Sequence, residues 1–255
     1  MEHDNLFDGA IFDLDGVITD TAVIHFQAWK KTFDALLEKH EGEGFTPFEH
    51  DRDYVPYVDG KPRYDGVASF LESRGIELPY GDPDDEPHEE TICGVGNAKN
   101  ARFREIVESG DIPIFESTMK IVDQLRERGV KCGVASSSRN CRLVLEQAGL
   151  LSRFGTVVDG TDSRELGLAG KPAPDIFVTA CDRLGVTPER SLMVEDAYSG
   201  VEAGRNGDFG LVIGVARSLD AESLRERGAH IVVTDMGETS LAEIDEWFRK
   251  QHRPG

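Results

Sequence analysis

The chain has 255 residues, of which 30% are charged and 39% hydrophobic, and its formal net charge is −20 at pH 7. This length allows one large core or a core with a small second domain, and the negative charge argues against nucleic acid or an anionic membrane surface as a partner, because both would be repelled. No apolar stretch reaches the ~20 residues that a membrane helix needs, and the opening MEHDNLFDGA lacks the basic start and apolar run of a signal peptide, so we expect a cytoplasmic protein.

The first predicted element is a buried strand that ends in two acids. Residues 9–20 read GAIFDLDGVITD, and an apolar run between glycines is typical of a buried strand. Because buried unpaired carboxylates are costly, Asp13 and Asp15 are predicted to lie at the strand's end, where a turn at Gly16 lets both reach one ligand. The pair suits phosphoryl transfer through a phosphoaspartate, with Asp13 as nucleophile and Asp15 as proton carrier. The alternative is a strand followed by an acid that only caps a helix.

The next segment, residues 22 to about 111, has helical patterns and no convincing strand. Its predicted helices are 22–40, 64–75 and 97–110. We interpret the segment as a helical insertion after the first strand, expected to lie over the strand ends as a lid. The expected domains are 1–21 with 112–255, and 22–111.

From about residue 113 the chain alternates between apolar runs and amphipathic stretches. The predicted strands are 130–136, 156–161, 191–196, 211–216 and 230–235. The predicted helices are 116–129, 139–149, 173–185, 199–207, one that starts at Asp220, and 240–252. This alternation indicates parallel strands with helices on both faces, a doubly wound, Rossmann-like α/β fold. Ligands bind beyond the carboxyl ends of the strands in such sheets.

Polar groups also follow two later predicted elements. Ser136 and Ser138 come after a strand and before a helix, where hydroxyls and backbone N–H groups can bind phosphate oxygens. Capping of that helix is the alternative. Lys171 precedes the helix start PAPDIF, where a lysine can be held against an anion, whereas a single loop lysine is more often a surface residue.

Two acids end a further apolar run. Glu195 and Asp196, together with Asp13, form an oxygen-only set of the kind that Mg²⁺ prefers. On its own the dipeptide is a weak signal. The expected cofactor of this edge of the sheet is Mg²⁺.

Taken in order, the segments DxDGV, SSS, GKPAPDIF and VED resemble the signature of the haloacid dehalogenase superfamily. The opening FDLDGVITDTAVIHFQAWK is similar to that of its β-phosphoglucomutase branch, and the likeness covers essentially the whole chain. The resemblance implies an α/β core with an inserted all-helical cap. It also implies substrate or catalytic roles for further residues, which are Thr21, His25, Trp29, Gly60, Arg63, Lys99, Asn100, Ser136, Ser138, Asn140 and Lys171.

Local alternatives exist for the residues of the predicted cap. A cation beside a glycine and a proline, in so acidic a chain, favours an anion clamp at Arg63, but pairing with a neighbouring aspartate would also explain it. His25 and Trp29 are four residues apart and share a helix face, as a simple packing pair would. Thr21 could cap the same helix.

The resemblance implies a mutase that interconverts β-glucose 1-phosphate and β-glucose 6-phosphate through a bound bisphosphate. The implied ligands of Mg²⁺ are Asp13, the backbone carbonyl of Asp15, Glu195 and Asp196. Lys171 and Ser136 are implied to hold the transferred phosphoryl group, and Arg63 and Lys99 the second phosphate. The expected partners are a sugar phosphate and a sugar bisphosphate, and we expect a monomer.

Two other functions remain open. A sugar-phosphate phosphatase on the same scaffold would pass the phosphoryl group from Asp13 to water, and the motifs at the strand ends do not separate it from a mutase. The cap separates them, because a mutase needs a second phosphate site. A catalytically silent sugar-phosphate-binding module is disfavoured, because every acid of the motifs is present.

Overall fold

The computed structural model describes residues 6–59, 61–110, 112–217 and 219–251. The chain divides into two compact units, Met1–Thr21 with Ile112–Gly255, and Ala22–Asp111. We refer to the first as the α/β unit and to the second as the helical unit. Gly60, which the resemblance places among the substrate-binding positions, lies outside the described residues. None of the described helices is both long enough and apolar enough to span a membrane.

The helical unit contains four described α-helices around an aromatic core. They are α1 (Ala22–Glu41), α2 (Val55–Tyr57), α3 (Arg63–Ser73) and α4 (Ile92–Glu108). Phe33, Phe48 and Phe70 are fully buried, and their ring centroids are 4.2 to 5.0 Å apart. Contacts between aromatic rings at such distances add to the free energy gained by burying them.

A π-helical turn, His50–Tyr54, leads directly into α2, in a stretch where the sequence pattern predicts no element. Asp53 is buried there and accepts hydrogen bonds from the backbone N–H of Glu49 at 2.8 Å and from Arg74 at 3.1 Å. Because Arg74 is distant in sequence, a tertiary contact stabilises this turn, and helical periodicity could not reveal it.

Helix α4 begins at Ile92, five residues before its predicted start. Thr91 caps it, since its hydroxyl oxygen accepts a hydrogen bond from the N–H of Gly94 at 2.8 Å. The glycines in the first turns obscure the helical pattern of the sequence, because glycine is a poor helix former.

The α/β unit is built on one six-stranded sheet in the described residues. Its strands are β1 (Gly9–Phe12), β2 (Lys131–Ala135), β3 (Thr156–Val158), β4 (Ser191–Glu195), β5 (Leu211–Val215) and β6 (Ile231–Val233). The order is β3-β2-β1-β4-β5-β6, and every pairing is parallel. The residues of β1, β4 and β5 are all buried, as expected for strands covered on both faces. The predicted doubly wound fold is confirmed.

The strand order reverses between β1 and β4. Phe12, the last residue of β1, lies in register with Val134 of β2 on one side and with Val194 of β4 on the other. Ligands bind at such a switch point, beyond the carboxyl ends of the two strands. Both of these strands are followed by acids.

Seven further helices belong to the described part of the α/β unit. They are α5 (Glu116–Glu127), α6 (Cys141–Gln147), α7 (Gly160–Leu166), α8 (Asp175–Leu184), α9 (Tyr198–Asn206), α10 (Ala221–Arg227) and α11 (Leu241–Gln251). Short 3₁₀ turns lie at Leu151–Arg153, Pro188–Arg190 and Met236–Glu238. Buried side chains of the strands, among them Ile11, Met193 and Val212, pack with Phe177 of α8 in one core.

Helix α7 replaces the second half of the strand predicted at 156–161, which was wrong beyond Val158. The Asp159 carboxylate accepts hydrogen bonds from the N–H groups of Thr161 and Asp162 at 2.8 and 3.1 Å. Asp162 in turn accepts from the N–H of Asp159 at 3.0 Å. This reciprocal cap begins a helix at the point where the apolar run ends.

Candidate active site

Asp13 directly follows β1. Its backbone N–H donates to the carbonyl of Val194 in β4 at 3.0 Å, so the sheet's hydrogen bonding extends one residue past the strand. Only 5% of the residue's surface is exposed. The sheet therefore places this carboxylate, buried, at the switch point.

Lys171 is the cation next to this acid. Its Nζ donates to Asp13 Oδ1 at 2.7 Å and also forms an ion pair with Glu195 at the end of β4. The ammonium lies 4.9 Å from the ring centroid of Phe177. Burial alone would lower the pKa of Lys171, but the charges of Asp13 and Glu195 outweigh it and raise that pKa above its ordinary value. Lys171 therefore stays positively charged.

Glu195 has both carboxylate oxygens engaged. One pairs with Lys171, and the other accepts a hydrogen bond from the backbone N–H of Ala197 at 2.6 Å. Gly200 in α9 makes room for it, because a Cβ at that position would lie 1.9 Å from Glu195 Oε1. The sequence analysis did not identify Ala197 or Gly200.

The turn after β1, residues 13–19, is called the acid loop here. The N–H of Gly16 donates to the carbonyl of Thr19 at 2.8 Å, and φ of Gly16 is +78°, a left-handed value that favours glycine. A Cβ on Gly16 would lie 1.8 Å from Asp196 Oδ2. Asp196 therefore packs directly against this turn.

The side chain of Asp15 is oriented by Thr21, whose hydroxyl donates to Asp15 Oδ1. This places Thr21 beside Asp15, as the resemblance implies. A carboxylate held in this way keeps one orientation relative to a reacting group, which is what a proton carrier needs.

The acids around Asp13 carry more negative charge than the single positive charge of Lys171 balances. Burial raises the pKa of Asp13 to about 7; Lys171 opposes the shift, and the charges of Glu195 and Asp15 add to it. Burial, followed by the charges of Glu195 and Asp13, raises the pKa of Asp196 to about 8. A further cation or a bound proton would relieve this repulsion.

The serines after β2 form a compact loop that is tied to β3. The N–H of Ser136 donates to the carbonyl of Val158 at 3.0 Å. The N–H groups of Ser138 and Asn140 donate to the hydroxyl oxygens of Ser136 and Ser138, each at 3.2 Å. A hydroxyl that accepts in this way can still donate its hydrogen to an anion. The local hydrogen bonding thus serves the turn and is compatible with binding phosphate.

Cys141, the first residue of α6, connects this loop with the acids. Burial raises the pKa of its thiol well above the ordinary value, and the charges of Asp15 and Asp13 add to that shift. The start of α6 is therefore close to the acid loop.

A second polar cluster lies in the helical unit. Lys99 Nζ donates to His25 Nδ1 at 2.6 Å, and because an ammonium cannot accept a hydrogen bond, His25 is neutral with its hydrogen on Nε2. Lys99 is only 6% exposed and lies 5.1 and 5.0 Å from the ring centroids of Trp29 and Phe103. Burial, followed by the charges of Lys99 and Arg63, lowers the pKa of His25 well below its ordinary value.

Arg63, the first residue of α3, belongs to the same cluster. Its Nη2 donates to Asn100 Oδ1 at 3.0 Å, and a Cβ on Gly96 would lie 3.2 Å from its Cδ, so its side chain packs on α4. Two cations, Lys99 and Arg63, are therefore near His25 in a strongly acidic chain. Such a cluster can bind an anion.

The donor chemistry at the switch point fits a hard divalent cation. Asp13, Asp15, Glu195 and Asp196 offer only oxygen, which Mg²⁺ prefers, and a cation would offset the charge that raises the pKa of Asp13 and Asp196. Within the described ranges, however, no three His, Cys, Asp or Glu side chains are gathered closely enough to hold a metal ion.

The predicted site residues thus fall into two groups. One surrounds the acid loop and the ends of β2 and β4, and the other surrounds His25 in the helical unit. The sequence analysis missed Arg217, which donates to the carbonyl of Gly16 at 3.0 Å. The signal that could have revealed it is an arginine directly after the apolar run of β5, at the same edge of the sheet.

Comparison with known proteins gives one family. The model of the haloacid dehalogenase-like hydrolases matches residues 7–208. A β-phosphoglucomutase of Mycobacterium bovis is 47% identical over 234 residues, 89% of each chain. A protein of Thermotoga maritima named phosphorylated carbohydrates phosphatase is 28% identical over 229 residues, 89% of this chain and 94% of its own.

Solved structures share the fold. The crystal structure of a β-phosphoglucomutase from Clostridium difficile superposes with a TM-score of 0.73 at 23% identity, covering 96% of this chain and 98% of its own. The family model over residues 7–208 and the relative that is 47% identical establish the family. The chain belongs to the β-phosphoglucomutase family of the haloacid dehalogenase superfamily.

Proposed function

We propose that this protein is a Mg²⁺-dependent phosphomutase that interconverts β-D-glucose 1-phosphate and β-D-glucose 6-phosphate through bound β-glucose 1,6-bisphosphate. The observation that carries the proposal is the cationic cluster of the helical unit. A mutase acts on a bisphosphate intermediate and needs a site for the phosphate that is not being transferred, in addition to the acids around Asp13.

The proposed chemistry uses Asp13 and Asp15. Phosphorylated Asp13 gives its phosphoryl group to the free hydroxyl of the sugar phosphate: a bond forms between phosphorus and the hydroxyl oxygen, and the bond to the Asp13 oxygen breaks. Asp15 accepts the hydroxyl proton. After the bisphosphate has turned round, its other phosphoryl group returns to Asp13, and Asp15 donates the proton to the departing oxygen. Phosphoryl groups and protons balance over the cycle.

Other residues of the α/β unit hold the transferred group. Lys171, already 2.7 Å from an Asp13 oxygen, and Ser136 would bind its oxygens, and Thr21 would orient Asp15. The proposed ligands of Mg²⁺ are Asp13, the backbone carbonyl of Asp15, Glu195 and Asp196. When bound, the ion would offset negative charge on the transferred group.

We assign the second phosphate to the helical unit, which we propose acts as the substrate cap. Arg63 can grip phosphate oxygens with two parallel N–H groups, and Lys99 adds a second positive charge. The further proposed contacts with the sugar phosphate are His25, Trp29, Gly60, Ser138 and Asn140.

Phosphorus NMR tests the proposal. The purified protein is incubated with β-glucose 1-phosphate, Mg²⁺ and a trace of β-glucose 1,6-bisphosphate. Appearance of glucose 6-phosphate supports the mutase, and accumulation of inorganic phosphate alone refutes it. Asp13→Asn, which keeps the size of the side chain but lacks the nucleophile, is the matched control and should form neither product.

The competing function is a sugar-phosphate phosphatase. What favours it is the likeness to a relative named phosphorylated carbohydrates phosphatase. In that reaction water takes the phosphoryl group from Asp13, and no second phosphate site is needed. The same NMR experiment separates the two functions.

A further inference from the structure

Arg217 lies two residues after β5 and joins separate parts of the α/β unit. Its Nε donates to the carbonyl of Gly16 in the acid loop at 3.0 Å. Its Nη1 donates to the carbonyl of Thr234 at 3.0 Å and to Asp235 Oδ2 at 3.2 Å. The guanidinium carbon is 3.6 Å from the ring centroid of Phe115. Arg217 therefore ties the acid loop to the segment after β6.

The bond to Gly16 restrains the backbone next to Asp15. The N–H of Gly16 donates to the carbonyl of Thr19 at 2.8 Å, and because N–H and C=O of a trans peptide point in opposite directions, this bond also sets the direction of the Asp15 carbonyl. Arg217 sets the direction of the next peptide through the Gly16 carbonyl. Glycine has more backbone freedom than any other residue, so these two bonds restrain the peptides on either side of Gly16, in addition to the N–H groups of Ile18 and Thr19, which donate to the carbonyl of Leu14.

The buried position of Arg217 is energetically unfavourable for one of its donors, and packing alone does not explain why an arginine is there. Its Nη2 is buried and has no hydrogen-bond partner among the residues that the structure describes, and such orphaned donors are rare in native proteins because each is destabilising. A lysine would place a single ammonium at this position. It would also lack the rigid fork whose donors reach Gly16 and Asp235 at the same time.

We propose that Arg217 is a positioning residue for the acid loop. Through Gly16 it keeps the side chain and the backbone carbonyl of Asp15 in the orientation that phosphoryl transfer and metal binding need. Asp235 holds the guanidinium, and Asp235 is itself held by the hydroxyl of Ser117, which donates to its Oδ2 at 2.8 Å. The inference rests on the proposed phosphoryl chemistry, and it does not depend on which sugar is the substrate.

The test compares Arg217→Met and Arg217→Lys with a matched control, Arg227→Met. Arg227 also lies over a ring, 4.5 Å from the centroid of Tyr198, and also pairs with an acid, Glu202, but these partners belong to α9. Two quantities are measured. One is the Kd for Mg²⁺, by calorimetry without substrate, and the other is kcat and KM for hydrolysis of acetyl phosphate, which uses Asp13 but no sugar.

We expect both Arg217 variants to bind Mg²⁺ more weakly and to lose kcat, each by ~10-fold or more, as when other groups that orient metal ligands are removed. KM for acetyl phosphate should change by less than about threefold, because the proposed role involves no substrate contact. Lysine should not restore either quantity, since one ammonium cannot replace the fork. Arg227→Met should match the wild type.

Mg²⁺ affinity and kcat within about twofold of wild type in both Arg217 variants would overturn the proposal. A rise in KM at unchanged kcat would overturn it too, because Arg217 would then contact the substrate. If Arg217→Met does not fold, the same measurements on two other variants decide whether Arg217 positions the acid loop. These variants are Arg217→Lys and Asp235→Asn, and the second removes the charge opposite the guanidinium.

Glucose 6-phosphate formation by the wild type is measured separately. Its absence would refute the mutase and leave the Arg217 comparison valid.

Discussion

Asp13, the proposed nucleophile, must be ionised to attack phosphorus, although burial raises its pKa to about 7. Lys171 opposes that shift from 2.7 Å. The attraction between the two is strong because both are largely shielded from water, which would otherwise screen it. Phe177 covers the ammonium from another side. A buried acid can therefore stay reactive because its counter-charge is buried with it.

Replacement of Asp15 by asparagine tests the proton transfer. Asparagine has the same shape, and its Oδ1 can still accept the hydrogen bond from Thr21, so the acid loop should keep its conformation. We expect conversion of β-glucose 1-phosphate to fall by ~10²-fold or more, the usual contribution of a general acid–base group. Phosphorylation of Asp13 by acetyl phosphate should fall much less, because acetate leaves without a proton.

Asp20→Asn, the same chemical change just beyond the acid loop, is the control and should retain mutase activity. Turnover is followed by phosphorus NMR, and phosphorylation of Asp13 by mass spectrometry. A loss of less than tenfold in Asp15→Asn would remove Asp15 from the proton-transfer role.

His25 leads to a prediction on pH and stability. Burial and the charges of Lys99 and Arg63 lower its pKa in the folded protein. As the pH falls below ~6.5, the unfolded chain takes up a proton that folded His25 does not, so stability is lost. His25→Gln lacks this proton uptake. Between pH ~7.5 and ~5.5 the wild type should therefore lose on the order of 1 kcal/mol more unfolding free energy than the variant.

Fluorescence of Trp29 during urea unfolding measures this difference. The chain has two tryptophans, so a Trp247→Phe background leaves Trp29 as a reporter of the helical unit. Lys99→Met, in the same background, removes one of the charges next to His25 and should give a weaker pH dependence. Equal pH dependence in the wild type and His25→Gln would show that His25 takes up its proton normally in the folded protein.

At the scale of elements, the packing of α9 against the end of β4 depends on Gly200. In a helix interior alanine is more favourable than glycine by roughly 1 kcal/mol, so Gly200→Ala should help α9 in isolation. A Cβ there would, however, lie 1.9 Å from Glu195 Oε1 and displace the partner of Lys171. We expect activity to fall by ~10-fold or more, because small misplacements of reacting groups are costly.

Gly66→Ala in α3 is the matched control. A Cβ there would lie 3.3 Å from the nearest atom, a side-chain methyl of Val58, so that substitution should leave activity near the wild-type value. Mutase rates and thermal unfolding of both variants give the comparison. Full activity in Gly200→Ala would mean that Glu195 tolerates displacement.

The fold could be predicted because its signals are local. Apolar runs such as those of β1, β4 and β5 alternate with amphipathic helices along the chain, and this alternation predicts a parallel sheet. The elements that escaped prediction depend on particular contacts. Helix α7 begins because of a reciprocal cap at Asp159, and the π-helical turn is held by Arg74 from a distant part of the chain.

The candidate site likewise has a part that the sequence predicts and a part that it does not. The position of Asp13 at the sheet edge followed from the sequence, since parallel strands bring their carboxyl ends together. The bonds from Lys99 to His25 and from Arg63 to Asn100 depend on how helices pack, and no spacing in the sequence encodes them. The role of Arg217 was not predicted either, because its partner Gly16 is 201 residues away in the sequence.

At the scale of the whole molecule, the charge distribution sets a condition on any anionic substrate. The chain carries 48 acidic residues against 28 lysines and arginines, so its overall field repels phosphates. Cations in the proposed substrate positions must overcome that field locally. In the proposal, Lys171 together with bound Mg²⁺ would do so in the α/β unit, and Arg63 with Lys99 would do so in the helical unit.

Arg63→Ala tests whether Arg63 binds the phosphate that is not transferred. If Arg63 grips the phosphate that is not transferred, its removal leaves that dianion poorly paired, and loss of one partner of such a contact costs about 2–5 kcal/mol. Mutase activity should therefore fall by at least ~30-fold, taking the lower limit. Acetyl phosphate has no second phosphate, so its hydrolysis should stay within a few-fold of wild type.

Lys61→Ala is the control for charge alone. Lys61 is a neighbouring cation that is exposed and donates to the hydroxyl of Ser69 at 2.6 Å, so its removal lowers the net charge of the same segment without touching the proposed clamp. Both activities should survive in it. Equal loss of both activities in Arg63→Ala would mean that Arg63 supports the fold or the metal site. Equal retention would favour the phosphatase, because a phosphoryl group passed from Asp13 to water needs no grip on a second phosphate.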